Sequence, residues 1–211
     1  MWTQLQCWVV RVWFWGSSDR ALHSKLVTSS STPNTAADSH LFLFMPSITF
    51  EPLHPGVRPP QRGTAGSAGY DLAAYLTART VRVYRDGVMH ERPCIESEGT
   101  FRLTLAPGEK ALVPLGFKAR LPQGYEAGVR PRSGTSVKTD LVIANAPGTI
   151  DSDYPDEWCV PVKNGGTAPL VITHGERIAQ MIVARYEVME FSEGAVAKST
   201  ERAGGFGSTG S

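Results

Sequence analysis

From residue 45 onward the sequence predicts an all-β, jelly-roll-like fold, and three observations predict it. Apolar or alternating runs of four to eight residues are punctuated throughout by turn formers, with 21 Gly and 15 Pro among 211 residues. No long stretch repeats its apolar residues at the helical period. Finally, Asp86-Gly87 separates two alternating segments by two residues, the spacing of a tight hairpin.

The first predicted strand is Ser47 to Glu51, where Ile48 and Phe50 alternate with polar neighbours. Next comes the hairpin Val81 to Arg85 and Val88 to Glu91; its Asp-Gly turn suits central positions that both need positive φ. Thr100 to Leu105, Lys110 to Pro114, Phe117 to Arg120 and Tyr125 to Arg130 are alternating runs bounded by Gly or Pro. Leu141 to Ala144, Trp158 to Lys163, Leu170 to Thr173 and Ile178 to Tyr186 complete the set. Some nine to eleven strands with so little helix indicate a jelly roll.

One stretch breaks the rhythm. Pro131 to Thr139 is polar, carries a Ser able to cap, and is long enough for one or two helical turns. Such a start would aim free backbone N–H groups beside Arg132 and the Ser133 hydroxyl, a setting for phosphate oxygens; taken alone, the stretch favours a simple capped turn over that site.

Four further segments hold more Gly, Asp, Arg and Ser than strands need. In Ala68-Gly-Tyr-Asp-Leu72, Asp71 follows a Gly that permits close backbone approach, and it reads as a ligand or as a turn former. Gly148 to Glu157 crowds Asp151, Asp153, Asp156 and Glu157 around Tyr154. Four carboxylates so close cannot all be buried and ionised, so some face water or a cation, and one beside a pocket has the chemistry of a general base. Leu141 to Ala144, followed by Asn145-Ala-Pro-Gly148, reads as the outgoing strand of a hairpin with Asn145 at its inner end. Its amide supplies both a donor and an acceptor, as reading an amide edge such as uracil's requires. Gly175 to Gln180 turns into an apolar strand with Gln180 at its mouth. The tail from Arg202 to Gly210 holds four glycines and one Phe; by composition it is a flexible end, equipped to order over a base and its phosphates.

Composition narrows the function classes. With 21 Lys+Arg against 20 Asp+Glu, the chain lacks the electrostatic footprint of a duplex-binding protein, so stable nucleic-acid binding is not expected. Three cysteines without a C-x-x-C pair predict neither a disulfide framework nor a zinc site, and fit a reducing compartment. No apolar run reaches 18 residues, so no membrane-spanning helix is expected. Residues 1–44 differ from the body: four of the five tryptophans crowd the start and a Ser/Thr-rich stretch follows. Arg11 interrupts the apolar run where a signal peptide needs none, whereas an acid-poor, Ser-rich, Arg-bearing segment is compatible with a transit peptide. The competing reading is an upstream extension without a fold of its own, Met45-Pro46 being a natural start. The expected organisation is therefore an extension (1–44), a β-barrel domain (45–201) and a Gly-rich C-terminal lid (202–211), located in the cytoplasm or, with a transit peptide, in an organelle.

Taken in order, A-G-Y-D-L, P-R-S-G, G-T-I-D-S-D-Y, G-E-R-I-A-Q and G-G-F-G resemble the motif set of the homotrimeric dUTP nucleotidohydrolases, or dUTPases, over essentially all of Met45 to Gly210. Their joint, colinear occurrence makes the resemblance specific. It implies a distorted jelly-roll barrel with one short helix, and a homotrimer whose sites are shared between subunits. The implied reaction converts dUTP to dUMP and pyrophosphate with Mg²⁺, which limits uracil in DNA and supplies dUMP for dTMP synthesis. By position, Asp151 would be the base that activates water. Arg132, Ser133 and Gly134 would hold the α and β phosphates, with Asp71 and Gln180 reaching the metal through water. Asn145 and Gly148 would pair with uracil, and Ile150 and Tyr154 would pack on deoxyribose. From the tail, Phe206 and Gly207 would cover the base while Arg202, Ser208 and Thr209 grip the γ phosphate.

Three departures from the common pattern accompany the resemblance. Asp156 stands where the family commonly has Gly, which predicts a turn with positive φ occupied by Asp. Arg202 lies one residue nearer the Gly pair. The connection between the first two motifs is long, and the Val81 to Glu91 hairpin with Pro93 to Gly99 reads as an insertion decorating the surface. Two other readings compete: a dCTP deaminase of the same fold, which the tail argues against, and a non-catalytic trimeric module that binds nucleotide or a protein partner.

Overall fold

The computed structural model describes residues 46–197, an all-β body with one short helix. A two-stranded ribbon pairs β1 (Thr49–Pro52) with β9 (Phe117–Arg120). One five-stranded sheet runs β12 (Gly148–Ile150), β10 (Tyr125–Arg130), β15 (Arg177–Arg185), β3 (Tyr70–Ala73) and β2 (Gln61–Arg62). The other runs β11 (Leu141–Ile143), β13 (Cys159–Asn164), β8 (Lys110–Pro114), β4 (Thr80–Arg85) and β5 (Val88–Pro93). A three-stranded sheet orders β14 (Leu170–Thr173), β7 (Thr100–Leu105) and β6 (Ile95–Ser97). The helix α1 covers Ser133–Lys138.

Alternation explains which face each strand buries. Val160, Val162 and Asn164 of β13 point inward, as do Leu103 and Leu105 of β7, and all five are fully buried. Trp158 fills the space beside Phe117, ring centroids 5.4 Å apart. Asn164 is tolerated there because its amide is fully used: Nδ2 donates to the Leu105 and Ala168 carbonyls at 2.9 and 2.8 Å, and Oδ1 accepts from Gly166 N–H at 3.0 Å.

The Asp86-Gly87 hairpin forms as predicted, with φ of 50° and 81° at its two central residues. It is not surface decoration, however. Val81 and Val83 of β4 are at most 2% exposed and β4 pairs with β8, so half of the insertion is core; burying each valine contributes roughly 1.5–3 kcal/mol. Arg92 of β5 then forks onto the nearly buried carboxylate of Glu109, Nη2 to Oε1 at 2.9 Å, and ties the outer strand to the turn before β8.

The described residues hold fifteen strands, more than the nine to eleven expected. The additions are β2, β3, β6 and β12, short and rich in polar residues or flanked by Gly, whose extended shape is supplied by partners distant in sequence. Asp71 accordingly sits on a strand and not in a loop. Leu141–Ile143 and Gly148–Ile150 do not pair with each other: β11 joins β13, and β12 joins β10 in the opposite sheet. The chain crosses between sheets at Asn145.

Candidate active site

β15 organises one half of the site. Its Gln180 lies opposite Arg130 of β10 on one side and Asp71 of β3 on the other, which sets the three side chains on one face of the sheet. Arg132, at the N-cap of α1, reaches back to Asp71, Nε donating to Oδ1 at 2.7 Å. Arg177 takes the second carboxylate oxygen, Nη1 donating to Oδ2 at 2.9 Å. Gln180 Nε2 donates to the Pro131 carbonyl at 2.8 Å, and Gly69 makes room for its Oε1, which a Cβ there would overlap. Gly69, Asp71, Arg132, Arg177 and Gln180, with Ser133 and Gly134, line a cavity of about 460 Å³. Two guanidinium groups against one carboxylate leave it a net positive charge suited to a polyanion.

Ser133 does not cap the helix. The N-cap is Arg132, extended at φ −93° and ψ 134° and without a side-chain cap bond, while Ser136 donates back to the Arg132 carbonyl through both N and Oγ. As the first helical residue, Ser133 has a hydroxyl that the cap does not consume.

The other half lies where β12 runs beside β10. Asn145, Gly148, Ile150 and Tyr154 line a cavity of about 140 Å³ together with Val129 and Cys159. A Cβ at residue 148 would stand 2.7 Å from Asn145 Nδ2, so only Gly lets that amide lie against the strand. Asp151 follows directly on β12 and is exposed; its carbonyl accepts from Tyr154 N–H at 3.3 Å in the turn that brings the phenol to the cavity. Burial, then the neighbouring Cys159 and Asp156, raises the Tyr154 pKa. Burial likewise drives the Cys159 thiol up to about 11, with Glu157 adding to it. Both stay protonated and neutral near pH 7.

The four clustered carboxylates divide as electrostatics requires. Asp151, Asp153 and Asp156 face solvent. Glu157 is paired: Oε2 accepts from Arg79 at 2.6 Å and Oε1 from Gly116 N–H at 2.9 Å, while Arg79 also donates to His54 Nε2 at 2.7 Å. That chain pins the end of the loop. Asp156 is not among the described residues with positive φ, so the Gly-to-Asp departure carries no backbone strain.

The structure thus gathers Asp71, Arg132, Ser133, Gly134 and Gln180 into one cavity, and Asn145, Gly148, Ile150 and Tyr154 into a second that shares no residue with it. Arg202, Phe206, Gly207, Ser208 and Thr209 lie outside the described residues, as do residues 1–45. Among the described residues no three His, Cys, Asp or Glu side chains converge as metal ligands. In the larger cavity the carboxylate and amide oxygens are those of Asp71, already holding two guanidinium groups, and Gln180 Oε1, with the Ser67 and Ser133 hydroxyls beside them. Such a set fits an ion that keeps its own water and arrives on an anion, as Mg²⁺ does. No described helix is long and apolar enough to cross a membrane.

Arg177 and Cys159 were not among the residues singled out from sequence. Arg177 sits within G-E-R-I-A-Q and was legible there as a cation two residues past a turn Gly. Cys159 reads as part of a strand, and only the pairing of β13 shows which cavity it borders.

Comparison with known proteins identifies relatives that span most of the body. The dUTPase sequence profile matches residues 100–210. A curated deoxyuridine 5′-triphosphate nucleotidohydrolase from Rhizobium rhizogenes is 45% identical over 149 residues, 69% of this chain and 89% of that protein. Among solved structures, a mutant dUTPase of the 80alpha phage aligns with TM-score 0.60 and 24% identity, over 77% of this chain and 98% of that one. A mutant dUTPase from phage phi11 of S. aureus, described for its coordination of a structural Mg(II) ion, aligns with TM-score 0.56 and 21% identity, over 72% and 99%. The structural likenesses carry the fold, and the sequence matches extend over most of the body. On those matches, the chain belongs to the dUTPase family.

Proposed function

We propose that the chain hydrolyses dUTP to dUMP and pyrophosphate, in sites completed only when three copies assemble. The observation that carries this reading is the division of the site: phosphate-binding groups line one cavity and base-reading groups another, with no residue in common. Neither cavity alone accommodates both a base and its triphosphate with their recognition groups. A second feature supports assembly. After β15 the chain leaves the barrel with Val188, Met189, Phe191 and Val196 from 75% to 103% exposed, apolar surface that contact with another copy would bury.

In the shared site, the Asn145 amide, held against Gly148, meets the donor and acceptor edge of uracil. Ile150 and Tyr154 pack on the deoxyribose and leave a ribose 2′-hydroxyl without space or partner. Arg132 and the Ser133 and Gly134 backbone grip the α and β phosphates of the substrate from another copy. Asp151, solvent-exposed beside the base cavity, accepts the proton of a water that attacks the α-phosphorus in line; the bond to the β-phosphate oxygen breaks and pyrophosphate leaves. General-base catalysis of this kind contributes ~10²–10⁴-fold, with positioning and charge stabilisation supplying the rest. Asp71 and Gln180 are the residues that would hold a Mg²⁺ through water, and the ion would supply charge neutralisation. Residues 45–201 form the catalytic domain on this reading. Residues 202–211 of a third copy close over the nucleotide, Phe206 and Gly207 on the base, Arg202, Ser208 and Thr209 on the γ phosphate. The enzyme is cytoplasmic where residues 1–44 carry no organellar address.

The test is to incubate purified protein and Mg²⁺ with dUTP and, separately, with dCTP, assaying pyrophosphate and ammonia. Pyrophosphate from dUTP alone is expected. Ammonia from dCTP would make the chain a deaminase, and neither product would leave it a binding module.

A further inference from the structure

We propose that Arg177 is a positioning residue of the phosphate half-site, acting through Asp71 and Arg132; the inference rests on the hydrolase reading above. Arg177 opens β15 where its register against β3 is irregular, between Arg177 and Ala179, and this break turns its side chain toward Asp71. It meets the site in two ways. Its Nη1 donates to Asp71 Oδ2 at 2.9 Å, and its own carbonyl accepts from Arg132 Nη1 at 3.3 Å. Arg132 Nε holds the other Asp71 oxygen.

The three residues form a closed triangle drawn from three separate elements. A carboxylate held at one oxygen rotates about its Cβ–Cγ bond; held at both by different guanidinium groups, it has a fixed plane. Arg132 is fixed in turn, by Asp71 at Nε and by the Arg177 carbonyl at Nη1. Arg177 therefore orders both groups that the proposed mechanism uses on the phosphates and their metal before substrate arrives. It also sets the charge. Arg132 and Asp71 alone are neutral as a pair, and the Arg177 guanidinium, 59% exposed at the cavity wall, makes the face net positive.

Three variants and two readouts test this: Arg177→Ala, Arg177→Lys and Arg177→Ala combined with Asp71→Asn, measured by dUTP turnover and by calorimetric binding of Mg²⁺-pyrophosphate. Arg177→Ala is expected to raise KM for dUTP and Kd for Mg²⁺-pyrophosphate by about tenfold, the worth of one charge-assisted hydrogen bond, with kcat changed less than about threefold. Guanidinium ion in the buffer should restore most of the loss. Arg177→Lys, able to make a single bond to Oδ2, should fall between. In the Asp71→Asn background Arg177→Ala should cost clearly less than in the unaltered chain, because the positioning route through Asp71 has already been removed and only the long-range charge remains to be lost.

An unchanged KM and pyrophosphate affinity overturns the inference. So does a full penalty that persists without Asp71 and resists guanidinium, since that marks a role in folding alone. If the unaltered chain releases no pyrophosphate from dUTP, the hydrolase reading falls, while Mg²⁺-pyrophosphate binding by the same variants still decides whether the triangle organises an anion site.

Discussion

Arg92→Met tests how the inserted hairpin is fastened to the body. Arg92 donates through both terminal nitrogens to Glu109 and to the Thr104 carbonyl at 2.8 Å, and the Glu109 side chain is 4% exposed. Removing the cation leaves a carboxylate inside the fold with the Ala106 N–H, at 2.8 Å, as its remaining side-chain partner. Breaking a fully buried pair costs about 3–5 kcal/mol. Arg92 itself is 34% exposed, so solvent screening reduces the expected loss to about 2–3 kcal/mol. At ~2–4 °C per kcal/mol for a domain of this size, Tm should fall by roughly 5–10 °C at neutral pH.

The same contact predicts a pH signature. The Arg92 hydrogen bond, against the opposing effect of burial and with help from Ala106 N–H, holds the Glu109 carboxyl down at about 2, where 4.5 is ordinary. A carboxyl depressed in the folded state adds stability that is fully present above its unfolded value and is lost as pH falls through its folded one. The gap between the unaltered chain and Arg92→Met should therefore be widest above pH 4.5 and shrink toward pH 2. Thermal melts at fixed protein concentration, from pH 7 downward, measure both effects. A neutral-pH Tm within about 2 °C of the unaltered chain, or a gap that stays constant into acid, would refute the clasp.

Three further predictions concern the site. Asp151→Asn should keep dUTP affinity within a few-fold by calorimetry while turnover falls by ~10²–10⁴, because the phosphate and base contacts remain; equal loss of affinity and turnover would remove Asp151 from the base role. Gly148→Ala should raise KM for dUTP by about tenfold or more with little change in Tm, since the added carbon displaces the Asn145 amide from its seat; an unaltered KM would separate Asn145 from base recognition. Deleting residues 202–211 should abolish most turnover and leave the oligomer intact by light scattering, and a fully active truncated enzyme would refute the lid.

Much of this molecule is legible in its sequence because the signals involved are local. Alternation marked Thr100–Leu105, Lys110–Pro114 and Phe117–Arg120 with the bounds the structure shows, since each run is long enough to show which face it buries. The Asp86-Gly87 turn was legible because positive φ restricts residue choice directly. The colinear motifs pointed to the family and to most residues of both cavities. What tertiary structure alone decided is non-local. β3 and β12 are too short and too polar to announce themselves, and they are strands because β15 and β10 offer them edges. The insertion enters the core because β8 has a free edge for β4. Asp71 and Arg177, 106 positions apart, become partners only where an irregular register brings a guanidinium to a carboxylate. Local sequence sets how a segment prefers to extend or turn; which segments lie side by side, and hence which charges meet, follows from pairing the whole chain at once.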